Sequence, residues 1–271
     1  MNSPMMPGLK MNTCLKDPFF QYPRSVARTS EGDVELPILY YDDSNLMALF
    51  RVDYDKAQRL VAPQGLQAVR FAGGKALAGV AFYEYRETTI ADYREVGVAI
   101  AVVPKGVESP ALPMLSMFRQ LDKNRLGFHI LDLPVTTPMA CAAGREIWGY
   151  PKFVTPIGFA LGGNRFEGTV SDPDSGAQLL RLAGRTGPGV SGPLLDLVIY
   201  SRLEGRMLRT LVNTRGGGRI CLPGTIRLEV NSSTHPMAQR LAALGLSNAR
   251  PALVLHTHAL QLRLNAGAVL P

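Results

Sequence analysis

Short apolar stretches separated by Gly, Pro, Asn and Asp residues run through most of the chain. This pattern is typical of a protein built from short strands and tight turns. Within residues 93–103, Gly97, Ala99 and Ala101 alternate with branched apolar residues, which favours a curved or barrel-like sheet. The predicted strands are 45–52, 66–71, 76–86, 93–103, 153–161, 165–170, 177–183, 195–202, 207–213, 225–230 and 252–264.

Glycine-rich turns divide two parts of this strand pattern. The pair Gly73 and Gly74 predicts a hairpin between residues 66–71 and 76–86. The run 216–218 is also glycine, but no Lys-Ser/Thr pair and helix follow it, so a phosphate-binding loop is disfavoured. We interpret that run as a second hairpin turn.

A few helices interrupt the strands. Residues 54–61 follow Asp53 as a capping residue, and residues 138–148 lie between Thr137 and Gly149, which are common cap residues. Residues 110–121 are periodically apolar, and 236–244 are predicted as a helix capped by Thr234. Alternating βαβ units are disfavoured because the helices are too few.

The fold prediction is therefore an α+β protein with a large curved antiparallel sheet, a barrel- or cone-like core and a few helices. Its 271 residues are enough for one domain. We expect residues 31–271 to form this domain and residues 1–30 to be a flexible N-terminal arm.

Composition narrows the possible locations and partners. No apolar run reaches the roughly 18 residues that a membrane span needs, and the N-terminus lacks the apolar core of a signal peptide. A cytoplasmic protein without membrane contact is expected. The net charge of +7 comes without a nucleic-acid-binding motif, so we expect no nucleic-acid partner and a basic field that attracts carboxylates.

Two other patterns bear on metal and disulfide chemistry. The three cysteines Cys14, Cys141 and Cys221 are widely spaced, which disfavours a disulfide framework and a zinc site. His256 and His258 point to one face of a predicted strand, but no third ligand follows in sequence. We expect no metal and no cofactor.

The candidate chemistry centres on Lys152, which follows a proline and has three aromatic neighbours. Burial among apolar groups disfavours the charged form of a lysine. The neutral amine can then attack a carbonyl and form a Schiff base. We expect the aromatic neighbours to contact the substrate; they are Trp148, Tyr150 and Phe153.

The stretch 144–152 resembles the fingerprint of the acetoacetate decarboxylase superfamily: Gly-Arg-Glu, an apolar spacer, then an aromatic residue, proline and the Schiff-base lysine. Residues 49–53, 93–97 and 197–212 resemble further parts of that family. The resemblance implies the α+β fold described above, assembly as a homo-oligomer, and Lys152 as the nucleophile. It also assigns Arg145 and Glu146 to the site, although an ion pair that fixes the helix end explains them equally well.

The resemblance also implies carboxylates beside the lysine. Glu95 matches a family glutamate that lines the lysine's cavity, where it could hold a proton for general acid–base catalysis. A second glutamate should come from the preceding strand. Glu84 and Glu87 compete for this role, and we assign it to Glu84 because it lies inside the strand pattern.

Two positions depart from the decarboxylase pattern. Phe153 stands where those enzymes have a second lysine, and Asp43 aligns with the arginine that meets the substrate carboxylate. Arg86 and Arg94 are the candidates to replace that arginine. Because Asp43 would repel an anion, we expect weak decarboxylation of acetoacetate.

The functional hypothesis is a Schiff-base lyase that acts on a small oxo acid through Lys152. Its reaction is either the condensation of pyruvate with an aldehyde followed by dehydration, which we rank first, or decarboxylation of a 3-oxo acid. The alternative is a non-catalytic protein that keeps the fold and binds a small molecule.

Overall fold

The computed structural model describes residues 13–14 and 16–270. Within 16–270 the α-helices are α1 (Tyr54–Val61), α2 (Pro113–Ser116), α3 (Pro138–Trp148) and α4 (Pro236–Ala243). The strands are β1 (Ser25–Thr29), β2 (Gly32–Leu36), β3 (Ile38–Val52), β4 (Leu66–Ala68), β5 (Ala76–Thr88), β6 (Tyr93–Pro104), β7 (Gly127–Val135), β8 (Lys152–Val154), β9 (Ile157–Gly162), β10 (Arg165–Ser171), β11 (Gln178–Arg185), β12 (Gly189–Pro193), β13 (Leu197–Leu203), β14 (Arg206–Arg215), β15 (Gly217–Cys221), β16 (Arg227–Val230), β17 (Leu253–Leu264) and β18 (Ala268–Val269).

Seven strands close into a barrel. β17, β3, β5, β6 and β7 pair in that order, each antiparallel to the next. β7 pairs parallel with β13, and β13 continues antiparallel to β14. An antiparallel pairing of β14 with β17 closes the ring. The predicted α+β fold with a barrel-like core is confirmed.

A second sheet covers one outer face of the barrel. It has the strand order β16, β11, β10, β9. Its Phe166 packs edge-on against Phe82 of the barrel, with ring centroids 5.4 Å apart. Helix α4 adds Met237 and Leu241 to the same apolar core. The barrel strands β3, β5 and β6 are therefore packed on both faces, which explains why their sequences are almost continuously apolar.

The capping signals of α1 and α3 were predicted correctly. The Asp53 carboxylate accepts hydrogen bonds from the backbone of Asp55 and Lys56, and the Thr137 hydroxyl caps α3. Gly149 ends α3 in the left-handed region with φ of 67°. In the part of the chain that the structure describes, no helix combines the length and the apolar character that crossing a membrane requires.

The hairpin pairings predicted on either side of the two glycine turns were wrong. Residues 66–68 pair with β6 rather than with β5, because the 15-residue strand β3 already occupies that edge of β5. Residues 217–221 form strand β15, which pairs with β12 and β17. Both errors arise from partners that lie far away in sequence.

Other element boundaries also differ from the prediction. The predicted strand 153–161 is two strands in different sheets, separated at Thr155 and Pro156. Of the predicted helix 110–121, one turn is α-helical, Pro113–Ser116. The apolar side chains of this turn, Met114 and Leu115, are exposed, so tertiary packing does not extend the helix. His235, rather than Thr234, caps α4.

The boundary of the folded domain lies earlier than predicted. Residues 25–29 form β1, which pairs with β2, and Cys14 and Phe20 are buried against Leu39 and Tyr41. The prediction that residues 1–30 form a flexible arm is therefore wrong for residues 25–29 and for Cys14 and Phe20. Residues 1–12, also assigned to the arm, lie outside the described residues.

Candidate active site

The interior of the barrel contains a cavity of about 150 Å³. All seven barrel strands contribute inward-facing residues to its wall. Most of the wall is apolar. Its polar side chains include one lysine, one glutamate and several tyrosines: Lys152, Glu95, Tyr40, Tyr83, Tyr85 and Tyr150.

Backbone pairing points Lys152 into this cavity. Strand β8 pairs parallel with β7, and the register places Lys152 opposite Leu133, which also lines the cavity. Residues paired in register point to the same face of a sheet. Only Tyr150 and Pro151 separate the lysine from Gly149, where α3 ends. The backbone N–H of Lys152 donates to the Tyr150 carbonyl at 2.8 Å. A helix end and a strand start therefore fix its position.

The amine of Lys152 forms a buried ion pair with Glu95. Nζ donates to Oε2 of Glu95 at 2.7 Å, and the two side chains are 6% and 11% exposed. The Tyr85 hydroxyl donates to Oε1 of the same carboxylate at 3.3 Å. The ring centroid of Tyr93 lies 5.7 Å from Nζ. This arrangement places a carboxylate beside an amine in a mostly apolar cavity.

Gly144 of α3 makes room for the lysine stem. A Cβ atom at this position would lie closer than 3.0 Å to Cδ and Cε of Lys152. Gly144 is therefore a steric requirement for the path that the lysine takes into the cavity. The sequence fingerprint contained this residue, but its spacing alone did not reveal the reason.

Four buried tyrosines and one half-buried tyrosine surround the ion pair, and sequence analysis assigned one of the five, Tyr150, to the site. The Tyr40 and Tyr93 hydroxyls are 2.8 Å apart. Tyr83 lies opposite Glu95 in the β5–β6 register, and Tyr85 follows on the same face. The alternation of Tyr83 and Tyr85 with charged residues is the sequence signal that could have identified this face. Burial, with the Glu95 charge as a further cause, raises the pKa of Tyr85 well above its ordinary value.

We predict a stability loss at alkaline pH from these tyrosines. Burial raises the pKa of each phenol above the ordinary value of 10.0; the five are Tyr40, Tyr83, Tyr85, Tyr93 and Tyr150. Above pH 10 the unfolded chain releases protons that the folded protein keeps. The stability that these tyrosines contribute is fully present below pH 10. Above pH 10 the free energy of unfolding should fall by about 1.4 kcal/mol per pH unit for each tyrosine that stays protonated in the folded protein.

The measurement follows tyrosinate absorbance and circular dichroism through the same alkaline titration. Most of the tyrosinate signal should develop together with the loss of native circular dichroism. A complete tyrosinate signal from protein that keeps its native spectrum would contradict the prediction.

Glu84 does not line the cavity, so its predicted place in the site is corrected. Its carboxylate accepts from Arg94 at 3.0 Å and lies 3.6 Å from Arg86, on the outer face of β5. Neighbouring residues of a strand point to opposite faces, and Tyr83 and Tyr85 occupy the inner one. Glu87, the competing residue, is also not part of the cavity wall.

The three aromatic neighbours of Lys152 have different positions. Tyr150 lines the cavity, as expected for a substrate contact. Trp148 is buried behind it, stacked on the Tyr150 ring at 5.8 Å, and its Nε1 donates to the Asn265 carbonyl at 3.1 Å. Phe153 packs outside the cavity, 5.0 Å from the His235 ring, because it follows Lys152 in a strand. Trp148 and Phe153 therefore do not line the cavity, which corrects the expectation that they contact the substrate directly.

Arg145 and Glu146 are exposed and lie outside the cavity wall. The Glu146 carboxylate accepts from the backbone and the hydroxyl of Ser30, at 2.9 and 2.5 Å. Glu146 therefore links the β1–β2 turn to α3. The expectation that Arg145 and Glu146 bind the substrate directly is corrected, since neither lines the cavity. The alternative interpretation was an ion pair of Arg145 and Glu146 that fixes the helix end. The partner of the Glu146 carboxylate is instead Ser30.

The residues considered for a carboxylate contact are also not part of the cavity wall. Asp43 is fully buried on β3 opposite Tyr85. Arg86 binds the Asp42 carboxylate through two hydrogen bonds of 3.0 and 2.9 Å, and Arg94 binds Glu84. Among the cavity-lining residues that the structure describes, Lys152 is the only lysine or arginine.

The two histidines on β17 lie in different environments. His258 is exposed and lies 3.1 Å from the Ser44 hydroxyl, whereas His256 is buried. Burial lowers the pKa of His256, and the neighbouring His258 charge is a further cause. Among the described residues, no three His, Cys, Asp or Glu side chains are grouped closely enough to hold a metal ion.

Solved structures share this fold at low sequence identity. An acetoacetate decarboxylase from Legionella pneumophila is 14% identical, with a TM-score of 0.64 over 100% of this chain and 98% of that chain. An acetoacetate decarboxylase-like enzyme from Sphingomonas wittichii RW1 is 17% identical, with a TM-score of 0.59 over 88% and 94%. The enduracididine biosynthesis enzyme MppR, complexed with pyruvate, is 16% identical, with a TM-score of 0.58 over 87% and 90%.

Sequence comparison with protein families is more specific. No curated protein sequence matches the chain. The family model described as acetoacetate decarboxylase matches residues 22–264, which include the whole barrel and Lys152. The chain therefore belongs to the acetoacetate decarboxylase family.

Proposed function

We propose that the protein is a Schiff-base-forming lyase that acts on an oxo acid through Lys152. The observation that carries this proposal is the buried contact of 2.7 Å between Lys152 Nζ and Glu95. A lysine in such a cavity has a proton acceptor within reach and is shielded from bulk solvent. Membership of the acetoacetate decarboxylase family supports the same chemistry.

The first steps need only these two side chains. Glu95 takes a proton from the Lys152 ammonium, and the neutral amine adds to the substrate carbonyl carbon. The resulting carbinolamine loses water as Glu95 returns the proton to the departing hydroxyl. The product is a protonated imine, which accepts the electron pair of a breaking bond on the neighbouring carbon.

Two reactions can follow from this imine. A 3-oxo acid breaks its bond to the carboxylate, releases CO2 and leaves an enamine, which is protonated on carbon before hydrolysis frees Lys152. Pyruvate instead loses a methyl proton to Glu95, adds its enamine carbon to an aldehyde, and then loses water. The relative MppR has been observed with pyruvate and with the condensation product of pyruvate and imidazole 4-carboxaldehyde, which supports the second reaction as a candidate.

The geometry changes the basis for ranking the reactions. The sequence ranks condensation first because Asp43 would repel a substrate anion, and Asp43 is not part of the cavity wall. Glu84, the expected second carboxyl group for condensation, points away from the cavity. Glu95 is the one glutamate in the described wall. Loss of CO2 converts a carboxylate beside an iminium ion into uncharged groups, and an apolar cavity favours this neutralisation. We therefore rank decarboxylation of a 3-oxo acid first and condensation second.

The trapping experiment treats the protein with acetoacetate or pyruvate, adds borohydride and maps the adduct by mass spectrometry. We expect the label on Lys152 alone, and none in Lys152→Ala. Exposed lysines such as Lys56 and Lys105 are internal controls for non-specific reduction. Labelling of those lysines without Lys152 would favour the alternative, a non-catalytic binding protein. The expected assembly into a homo-oligomer stays a prediction.

A further inference from the structure

We infer that the oxo compound bound at Lys152 has a mainly apolar alkyl or aryl part that, together with the reacting carbonyl, is about the size of benzene. This inference rests on the proposed function for the identity of the reacting carbonyl, but its physical basis is the cavity wall. A methyl group is the only apolar end of acetoacetate and of pyruvate, so each would place a carboxylate against a mainly apolar wall.

Branched apolar side chains form the wall on the side of the barrel opposite β5 and β6, the strand pair that contains Glu95. They come from β13, β14 and β17 and from the segment that precedes β13: Leu195, Leu197, Ile199, Val212, Leu260 and Leu262. Opposite them, Gly79, Ala81, Gly97 and Ala99 leave space because their side chains are small or missing. Large residues facing small ones create a slot with apolar sides.

Charge in the cavity points to the same class of ligand. Lys152 is the one lysine or arginine in the described wall, and Glu95 neutralises it. Once the amine has become an imine, a substrate carboxylate has no second cation to contact. Since Arg86 and Arg94 are committed to Asp42 and Glu84 on the outer face, the binding energy must come mainly from burial of apolar surface.

Volume sets the approximate size of the apolar group. Apolar cavities near the size observed here, about 150 Å³, bind benzene in other proteins. Leu194 and Leu195 are half-buried, so part of the wall also reaches toward solvent. About six non-hydrogen atoms, the reacting carbonyl included, therefore fill the slot, and a longer chain extends past these leucines.

Binding of uncharged alcohols tests the inference separately from the chemistry. The series from 2-propanol to 2-nonanol has a hydroxyl in place of the carbonyl, so it cannot form an imine. We expect calorimetric affinity to rise about fourfold for each added methylene until the slot is full. Affinity that does not change with chain length would overturn the inference.

A matched pair of variants locates the binding. Leu195→Gln places a polar group at a half-buried wall position and should flatten the chain-length dependence. Leu222→Gln is the control, because Leu222 is 59% exposed and lies outside the wall. An equal effect of both substitutions would overturn the assignment to this cavity.

Substrate assays on the wild-type protein then separate the possible reactions. One arm offers 3-oxo acids of increasing chain length and measures CO2; the other offers pyruvate with aliphatic or aromatic aldehydes and measures condensation. A preference for the longer or aromatic member in either arm supports the inference, and a preference for acetoacetate or acetaldehyde overturns it. Chain-length-dependent binding without any Lys152 adduct would instead reject the proposed function and leave the apolar binding site.

Discussion

Replacing Gly144 with alanine is expected to lower the rate of imine formation by about 100-fold or more while the protein remains folded. The new Cβ would lie closer than 3.0 Å to Cδ and Cε of Lys152. These atoms belong to a flexible side chain, so the lysine will move and the helix will not. A displacement of about 1 Å is enough to cost a reaction about 100-fold.

The helix itself should gain from the same substitution. Alanine is about 1 kcal/mol more favourable than glycine in a helix interior, so intrinsic propensity opposes any loss of stability. We expect the melting temperature of Gly144→Ala to stay near the wild-type value or to rise. The measurement combines borohydride trapping at short times with thermal unfolding.

Gly162→Ala is the matched control. No atom lies within 4 Å of the position that a Cβ would take at Gly162, and its φ is outside the left-handed region. This variant should trap substrate at the wild-type rate. Wild-type imine formation by Gly144→Ala would show that the fingerprint glycine does not control the path of Lys152.

The second large effect is expected from Glu95→Gln. The substitution keeps the shape of the side chain and removes the charge that faces Lys152 Nζ at 2.7 Å. Turnover should fall about 10²- to 10⁴-fold, because the general acid–base group for imine formation is lost. The free energy of unfolding should also fall, by about 3–5 kcal/mol, because a buried charge loses its partner.

A double-mutant cycle distinguishes the ion pair from ordinary packing. The double variant Glu95→Gln with Lys152→Met contains neither charge, so it should recover most of the stability lost in Glu95→Gln. Glu84→Gln is the control for turnover, because Glu84 lies on the outer face of the neighbouring strand. Additive stability losses in the double variant, or equal turnover losses for both glutamates, would contradict the assigned geometry.

Local signals in the sequence were sufficient where the structure depends on near neighbours. Asp53 and Thr137 identified the starts of their helices, and Gly149 identified the end of the helix before Lys152. These predictions hold because a cap satisfies backbone groups within the same turn. The alternation of Gly97 and Ala99 with larger residues also indicated the barrel, since a strand displays its two faces directly in sequence.

Long-range pairing produced the errors. The sequence of residues 66–86 favours a hairpin, but β3 competes for the edge of β5 and forms the longer ladder. Glu84 and Phe153 have side chains of suitable chemistry, and both point away from the cavity. A one-residue difference in a strand selects the opposite face, so proximity in sequence to Tyr85 or Lys152 did not place them in the site.

The sequence by itself determined the family-like fingerprint around Lys152, the role of Glu95 as its neighbour, and an α+β fold with a curved sheet. Only the tertiary structure decided which side chains share the cavity with them. Register between strands distant in sequence brings Tyr40 and Tyr83 toward Glu95, and closure of β14 on β17 places leucines opposite small residues. These contacts depend on how seven strands pair and close, and no local pattern of residues specifies that arrangement.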